Sequence, residues 1–361
     1  AAGKAGDAVH NGNLGERAVE RQRPQPYRLR MTRGSFPILF ITATRIGDAV
    51  LSSGLIRRLS EEIPNARFTV VAGPAAAPLF ADVPNLDQLI VFEKAKSGGH
   101  WFDLWRKVRR RKWGLVVDLR GSGLSRFLST RRRAIHRRVG GEPVHKVMEA
   151  ARTLRIEDEP AAPYLYTSDA TEALAAELVR GEGPILAIAP AANWIGKTWP
   201  VERFSQVAIR LLGSNGPMRG GRLVVLGGPG DTKVAHQLRD VVPRKQLFDL
   251  TGRADLLTSY AVLKRARLYI GNDSGTTHLA AAAGAPTLAL FGPSDERLYA
   301  PWGEKARVVR GPRDFEQIKA ADPELSQQVC HMMDLSVDRV ARAAVALLAD
   351  TEAPEAGSEH A

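Results

Sequence analysis

The polar segment at residues 271–278 holds the residues best suited to bind an anion. It reads Gly-Asn-Asp-Ser-Gly-Thr-Thr-His, follows an apolar run, and precedes an alanine-rich stretch typical of a helix. The first turn of a helix offers free backbone N–H groups and a positive dipole end, and small residues let a phosphate approach them. The predicted diphosphate-binding residues here are Ser274, Gly275, Thr276 and His278. We expect the Asp273 carboxylate to hold sugar hydroxyls; the alternative is that Asp273 or Ser274 only caps the helix.

A second loop, at residues 190–200, carries Lys197 and Thr198 between a predicted strand and a predicted helix. A lysine ammonium is a compact charge suited to phosphate oxygens, and it would stabilise the charge on a departing diphosphate. Alternatively, Lys197 is a solvated loop residue and Trp199 and Pro200 merely anchor the loop. The pairing of this loop with the Asp273 segment favours a donor site for a nucleotide-diphosphate sugar.

A third loop, at residues 43–47, places Asp48 at the start of a predicted helix. A carboxylate at the edge of a cleft can accept the proton of an attacking hydroxyl, so Asp48 is the candidate general base. Its alternative is again a helix cap. The helix dipole is expected to lower the pKa of this carboxyl. A weaker signal is the glycine-rich turn at 227–231, in which Gly228 and Asp231 would approach the nucleotide.

Short apolar runs alternate with helical patterns along most of the chain, which predicts an α/β fold with parallel sheets. The predicted strands lie at 36–42, 67–72, 88–92, 115–119, 184–190, 222–226, 246–250, 268–270 and 286–291. Ligands bind such sheets beyond the carboxyl ends of the strands, where all three loops fall. The predicted organisation is a mobile tail at 1–35, a domain at 36–165, a second domain at 166–349, and a loose tail at 350–361.

Positive charge is concentrated in the first predicted domain. Residues 94–138 contain 15 lysines and arginines against Asp103 and Asp118, in a chain of 361 residues with a net charge of +12. A basic face of this density favours an anionic partner, such as a phosphorylated lipid, an acidic sugar or a nucleic acid. The predicted acceptor-binding residues are Arg45, Arg120, Arg126, Arg131, Arg132 and Arg133.

Other features narrow the class of protein. No run of about 18 apolar residues predicts a membrane span. The single cysteine excludes an intrachain disulfide. The histidines show no metal-ligand spacing, so no metal and no cofactor are expected.

Taken together, the motifs resemble glycosyltransferase family 9, the bacterial heptosyltransferases of lipopolysaccharide core assembly. The similarity extends from residue 38 to the last helix and comprises, in order, the motifs at 46–48, 197–200, 226–228 and 273–281. It implies a GT-B fold, with two Rossmann-like domains of which the first binds the acceptor and the second the donor. At the position where these enzymes usually carry a glutamate near the nucleoside, this chain has Asp231.

The resemblance also implies an activity. The enzyme would transfer heptose from ADP-L-glycero-β-D-manno-heptose to a lipid A or core acceptor, with inversion and without a metal. Asp48 would be the base, Lys197 and the amides of residues 274–276 the diphosphate contacts, and Asp273 the sugar contact. The site of action would be the cytoplasmic face of the inner membrane, with peripheral contact to anionic lipid.

Two other functions stay open from the sequence. One is a GT-B enzyme that uses another nucleotide sugar, including a nucleotide-sugar epimerase; such an epimerase would leave the basic face unexplained. The other is a nucleic-acid-binding protein, suggested by charge alone. Because the arginine cluster matches no recognisable nucleic-acid-binding motif, nucleic acid is not the expected partner.

Overall fold

The computed structural model describes residues 34–93, 99–137, 140–326 and 328–352. These residues form two parallel β-sheets, each with helices on both faces, as the alternating sequence pattern predicts. The strands are β1 (Phe36–Ile41), β2 (Ala66–Ala72), β3 (Leu86–Val91), β4 (Trp113–Asp118), β5 (Thr130–Ile135), β6 (Ile185–Ala189), β7 (Arg222–Val225), β8 (Leu247–Asp249), β9 (Leu268–Asn272), β10 (Thr287–Phe291) and β11 (Ala306–Arg310).

The helices connect these strands and close the fold. They are α1 (Ile46–Glu62), α2 (Gly99–Val108), α3 (Lys146–Leu154), α4 (Asp169–Leu178), α5 (Val201–Leu212), α6 (Thr232–Ala235), α7 (Leu256–Leu263), α8 (Gly275–Ala282), α9 (Glu296–Tyr299), α10 (Phe315–Ala321) and α11 (Val337–Asp350). Within the described ranges, no helix has the length and apolar character needed to cross a membrane.

The first sheet has the order β3-β2-β1-β4-β5 and the second the order β11-β10-β9-β6-β7-β8. In each sheet, the central strands are apolar on both faces because helices cover both faces. Strand β1 is buried along almost its whole length, and β6, β9 and β10 are buried throughout. The order reverses beside β1 in the first sheet and beside β6 in the second, which opens the crevices that α/β sheets use for ligands.

The structure differs from the sequence-based elements at four places. One is strand β11, which was not among the predicted strands. Strand β5 was not predicted, because its sequence Thr-Arg-Arg-Arg-Ala-Ile lacks the apolar run of a buried strand. The helix predicted at 231–241 is wrong in extent: α6 has four residues, and a 3-10 turn follows at His236–Leu238. The strand predicted at 268–270 continues through Asn272, so Gly271 and Asn272 of the polar segment belong to β9.

The two halves pack against each other through α1. This helix contacts α3 on one side and α8 of the second half on another, while α4 packs on α7. One continuous hydrophobic cluster includes Phe40 and Leu55 of the first half together with Tyr260 and Leu279 of the second. The predicted domain boundary near residue 165 lies between α3 and α4 and stays a prediction. Of the predicted tails, residues 1–33 and 353–361 lie outside the described residues.

Candidate active site

The first turns of α1 and α8 meet at the cleft between the two sheets. A methyl group added to Gly275 would lie 2.7 Å from Ile46 Cγ2 and 3.4 Å from the Gly47 backbone nitrogen. Only a residue without a side chain lets the two helix ends approach this closely. Two helix N-termini therefore point their free N–H groups and positive dipole ends into one region.

Asp48 lies in the first turn of α1, half-buried, with its carboxylate in the cleft. The alternative that it caps the helix is not supported, because Arg45 occupies the cap position and no side-chain capping hydrogen bond forms. The expected lowering of its pKa is wrong as well. Burial raises the pKa of Asp48, since a desolvated carboxylate is less stable than the neutral acid.

The charges around Asp48 partly oppose that rise. The positive charges of Arg45, Lys146 and Lys197 lower its pKa, whereas the negative charge of Glu149 raises it further. The net direction is upward, so burial outweighs the cations. A carboxylate with a raised pKa is a stronger proton acceptor, which suits a general base.

A cavity of about 360 Å³ opens in front of Asp48. Arg45 and Arg120, two predicted acceptor-binding residues, line it. Four further lining residues were missed by sequence reasoning: His136, Lys146, Glu149 and Tyr299. Only a weak sequence signal pointed to these residues. Lys146 and Glu149 are a basic and an acidic residue three positions apart, as Arg45 and Asp48 are, but they belong to no recognised motif.

The added residues form a small network on the cavity wall. Lys146 Nζ donates to Glu149 Oε2 at 2.5 Å, and His136 Nε2 lies 3.2 Å from Glu149 Oε1. The Lys146 ammonium also lies 5.9 Å from the ring centroid of Tyr299, a residue of the second half. The wall of the cavity is therefore built by both halves of the chain.

His145 joins the halves beside this network. Its Nε2 atom lies 2.8 Å from the Ala300 carbonyl oxygen, and its ring contacts Trp302 with centroids 4.9 Å apart. Burial lowers the pKa of His145, so the ring stays neutral near neutral pH. We assign it a structural contact between the halves.

In the second half, Lys197 and Asp273 form a largely buried ion pair. Asp273 Oδ2 accepts hydrogen bonds from Lys197 Nζ and from Ser294 Oγ, each at 2.6 Å. Asp273 is 5% exposed, immediately after β9, and Lys197 ends a 3-10 turn at Ile195–Lys197. The two predicted donor-binding loops therefore meet, although 76 residues separate them.

The small residues Ser274, Gly275 and Thr276 stay partly exposed at the start of α8, as an anion site requires. Ser274 occupies the cap position but makes no capping hydrogen bond with its side chain. A different side chain holds the turn between β9 and α8: Thr277 Oγ1 donates to the Asn272 carbonyl oxygen at 2.5 Å. The first amides of the helix therefore face the cleft.

His278 is buried, and a methyl group added to Gly47 would lie 3.0 Å from its Cδ2 atom. Burial lowers its pKa to about 4, so the ring is neutral at neutral pH. Among the described residues, its Nδ1 atom has no hydrogen-bond partner. His278 thus spaces α8 from α1, and it does not offer a positive charge to a diphosphate.

Two other predicted donor residues are engaged locally. Thr198 Oγ1 donates to the Trp194 carbonyl oxygen at 3.0 Å, which fixes the lysine loop. Asp231 Oδ2 accepts from the Gly228 backbone N–H at 2.8 Å, so its carboxylate closes the glycine-rich turn after β7. Their contact with a donor stays a prediction.

The remaining predicted acceptor arginines do not line the cavity. Arg131, Arg132 and Arg133 lie within β5, short of its carboxyl end. Arg133 Nε donates to the Ser125 carbonyl oxygen at 3.0 Å and thereby holds a loop. Arg126 is exposed on a 3-10 turn at Gly123–Phe127. Over the part of the chain that the structure describes, no group of three His, Cys, Asp or Glu side chains could hold a metal ion.

Comparison with known proteins decides the family. The family model for glycosyltransferase family 9 (heptosyltransferase) matches residues 112–327, which is more than half of the chain. The chain belongs to glycosyltransferase family 9. It is therefore an enzyme that transfers a glycosyl group.

Relatives of this family 9 enzyme agree in length and fold. It is 25% identical to lipooligosaccharide heptosyltransferase 2 of Haemophilus influenzae over 312 residues, covering 76% of this chain and 88% of that protein. The structure of E. coli ADP-heptose LPS heptosyltransferase II superposes with a TM-score of 0.68 at 22% identity, covering 88% of this chain and all of the other. A family 9 glycosyltransferase from Veillonella parvula gives a TM-score of 0.72 at 20% identity, covering 89% and 99% of the two chains. The fold is GT-B, as the resemblance implied.

Proposed function

We propose that this enzyme transfers a heptose from ADP-heptose to the sugar core of a lipopolysaccharide-type glycolipid, with inversion at the anomeric carbon and without a metal ion. The observation that carries the proposal is the contact between the first turn of α1, which carries Asp48, and the N-terminus of α8. The relatives add the sugar class, because one is named a lipooligosaccharide heptosyltransferase and another an ADP-heptose LPS heptosyltransferase.

The proposed reaction is a single displacement. An acceptor hydroxyl in the cavity attacks the anomeric carbon as the bond between that carbon and the diphosphate oxygen breaks. Asp48 takes the hydroxyl proton, and its raised pKa supports this role. The departing diphosphate gains negative charge, which Lys197 and the amides of residues 274–276 would stabilise.

The same geometry explains how the donor is recognised. Lys197 Nζ donates a hydrogen bond to Asp273 Oδ2. A diphosphate would compete for the lysine ammonium, and the Asp273 carboxylate would then be available to sugar hydroxyls. Ser294 would keep that carboxylate oriented through its existing hydrogen bond.

The acceptor side fits an anionic glycolipid. Arg45, Arg120 and Lys146 line the cavity of Asp48 and would attract acidic or phosphorylated sugars. We further propose that the enzyme works at the cytoplasmic face of the inner membrane through peripheral contact with anionic lipid, because basic residues near such a surface contribute about 1 kcal/mol each.

A donor screen tests the proposal. Thermal unfolding is measured with ADP-heptose and with sugars linked to UDP, GDP and dTDP; a ligand at a hundred times its Kd stabilises the fold by roughly 2.7 kcal/mol. ADP-heptose should give the largest rise in Tm. A larger rise with another nucleotide sugar would contradict the donor assignment and favour a different transferase or an epimerase.

Asp48→Asn tests the mechanism. Transfer of heptose should fall by roughly 10²- to 10⁴-fold, the usual contribution of a general base, while ADP affinity changes little. In the native enzyme, kcat/KM should fall as the pH drops through the raised pKa of Asp48, because the protonated acid cannot accept a proton; in the variant this fall should vanish. The matched control is Asp158→Asn, an exposed site in the same half. Near-normal turnover in Asp48→Asn would sink the mechanism.

A further inference from the structure

A second cavity, of about 580 Å³, lies outside the active site, between α2 and the 3-10 turn at Gly123–Phe127. Its walls are mainly aromatic. Trp101, Phe102 and Trp105 come from α2, and Phe127 comes from the turn. We call these four residues the aromatic face.

The sequence of α2 produces this face. Leu104 and Val108 point into the core of the first sheet, and Trp101 and Trp105 pack partly against that core. Phe102, in contrast, faces outward: it is 60% exposed and stacks on Trp105 with ring centroids 5.8 Å apart. Phe127 is 77% exposed. Two phenylalanines exposed side by side with two tryptophans form an apolar patch of the kind that marks an interaction site.

Basic residues surround the aromatic face. On α2, on the segment after it and on the 3-10 turn, the exposed basic side chains are Arg106, Lys107, Arg109, Arg110, Lys112 and Arg126. The guanidinium of Arg109 lies 4.7 Å from the centroid of Trp105. Asp103 is the acidic residue of α2. Aromatic rings beside lysines and arginines are the composition of helices that lie in the interface of an anionic bilayer.

The aromatic face adjoins the active-site cavity through one residue. The Arg120 guanidinium lies 5.5 Å from the ring centroids of both Phe92 and Trp101, and Arg120 also lines the cavity of Asp48. A surface that contacts the face is therefore one arginine away from the proposed acceptor site.

We propose that the aromatic face is the membrane-docking surface of this enzyme, with Phe102 and Phe127 inserted among the lipids of an anionic bilayer and the surrounding basic side chains against the headgroups. The proposal rests on the proposed function in its choice of a membrane-bound acceptor. A docked face would bring the opening beside Arg120 to the bilayer surface, where the sugar headgroup of a glycolipid projects.

Vesicle binding by the full chain tests this proposal without donor or acceptor, so loss of transferase activity and loss of docking are separate results. Co-sedimentation is measured with vesicles of phosphatidylcholine alone and with phosphatidylglycerol added. The native chain should bind the anionic vesicles preferentially. Phe102→Ser/Phe127→Ser should lower that partitioning by roughly tenfold or more, because two inserted rings are lost.

The matched control is Ile209→Ser, which removes an apolar side chain that is 53% exposed on α5 of the other half. Its vesicle binding should equal that of the native chain. Unchanged Tm in all variants shows that they fold, and Phe127→Ser alone gives a milder second variant. Equal vesicle binding by the double variant and the native chain would overturn the proposal.

Three further measurements test insertion into the bilayer and the two other occupants, a single lipid molecule and a second copy of the chain. Lipids brominated along their acyl chains should quench tryptophan fluorescence in the native chain but much less in the double variant. Tight binding of monomeric short-chain phosphatidylglycerol, equal to that of vesicles, would instead indicate a groove for a single acyl chain. A dimer seen by sedimentation in the native chain and absent in the double variant would indicate a second copy, and either result overturns docking.

Discussion

At the scale of single residues, Lys197 and Asp273 form an ion pair within the proposed donor site. Their side chains are 22% and 6% exposed, and the bond between Nζ and Oδ2 is 2.6 Å long. Removing one of these charges would leave the other buried without a partner, which strongly destabilises the fold. A ligand that offers phosphate to the lysine and hydroxyls to the carboxylate can replace both partners at once.

This pairing predicts a separation between stability and affinity. Lys197→Met should destabilise the fold by about 3–5 kcal/mol, because it leaves the Asp273 charge buried and unpaired. Lys197→Met/Asp273→Asn should regain most of that loss, since no buried charge remains. ADP affinity should be reduced in both variants, because both lack the lysine. Chemical denaturation and calorimetric titration measure the two quantities.

The control is an exposed ion pair in the same half. Arg210 and Asp338 are 49% and 64% exposed, so Arg210→Met should cost only about 0–1 kcal/mol. If Lys197→Met costs no more than this control, the pair is not buried in solution. If the double variant binds ADP as the native enzyme does, Lys197 is not a diphosphate contact.

At the scale of elements, the site depends on two helices meeting end to end. Gly275 begins α8 directly against Ile46, the first residue of α1. Because a side chain at 275 would collide with Ile46, the glycine sets the distance between the start of α8 and Asp48 in the first turn of α1. The contact between Gly275 and Ile46 therefore joins the proposed donor-binding start of α8 to the helix that carries Asp48.

We predict that Gly275→Ala lowers kcat by roughly tenfold to a hundredfold, since a misplacement of about 1 Å in an active site can cost 10²-fold. Ile46→Ala added to this variant should restore much of the rate by making room for the new methyl group. Gly140→Ala is the control, because a methyl group there meets nothing within 4 Å. Steady-state kinetics of heptose transfer gives the result; a Gly275→Ala enzyme with native kcat would show that the helix ends separate freely during turnover.

The elements also show how far the sequence leads. Apolar strands such as β1, β6 and β10 were predictable because burial on both faces forces a continuous apolar run. Strand β5 was not, because its arginines obscure the pattern. The strand-to-helix turn before α8 was predictable from small residues after a strand, whereas phosphate binding there stays a prediction. The Lys146–Glu149 network and Tyr299 were not, because only the folded chain brings α3 and α9 to the cavity of Asp48.

At the scale of the whole molecule, one of the three hydrophobic clusters of the described residues spans both halves, and each half has a further cluster of its own. The cluster that contains Phe40 and Leu55 continues into α7 and α8 through Tyr260 and Leu279. The Tyr260 hydroxyl donates to the Ala282 carbonyl oxygen at 3.1 Å and accepts from the Leu165 backbone N–H at 3.4 Å. The connection between the halves is thus packed as an interior and not as a hinge surface.

We therefore predict a single cooperative unfolding transition for the described body. Phe68→Ala, which empties a fully buried position in the first half, should cost about 3–5 kcal/mol and lower one common Tm. Calorimetry checks this: one peak, with equal calorimetric and van't Hoff enthalpies, is the expected result. Two peaks, with only the earlier one shifted by the substitution, would show that the halves unfold independently.

Strand β5 has a consequence for how the molecule behaves in a crowded solution. Among the described residues it is an edge of the first sheet, so one side of its backbone pairs with no other strand there. Exposed arginines occupy three successive positions along it, at 131, 132 and 133. Charge repels a second copy of the same strand, and long side chains obstruct its approach. These arginines therefore disfavour assembly of the enzyme through the β5 edge.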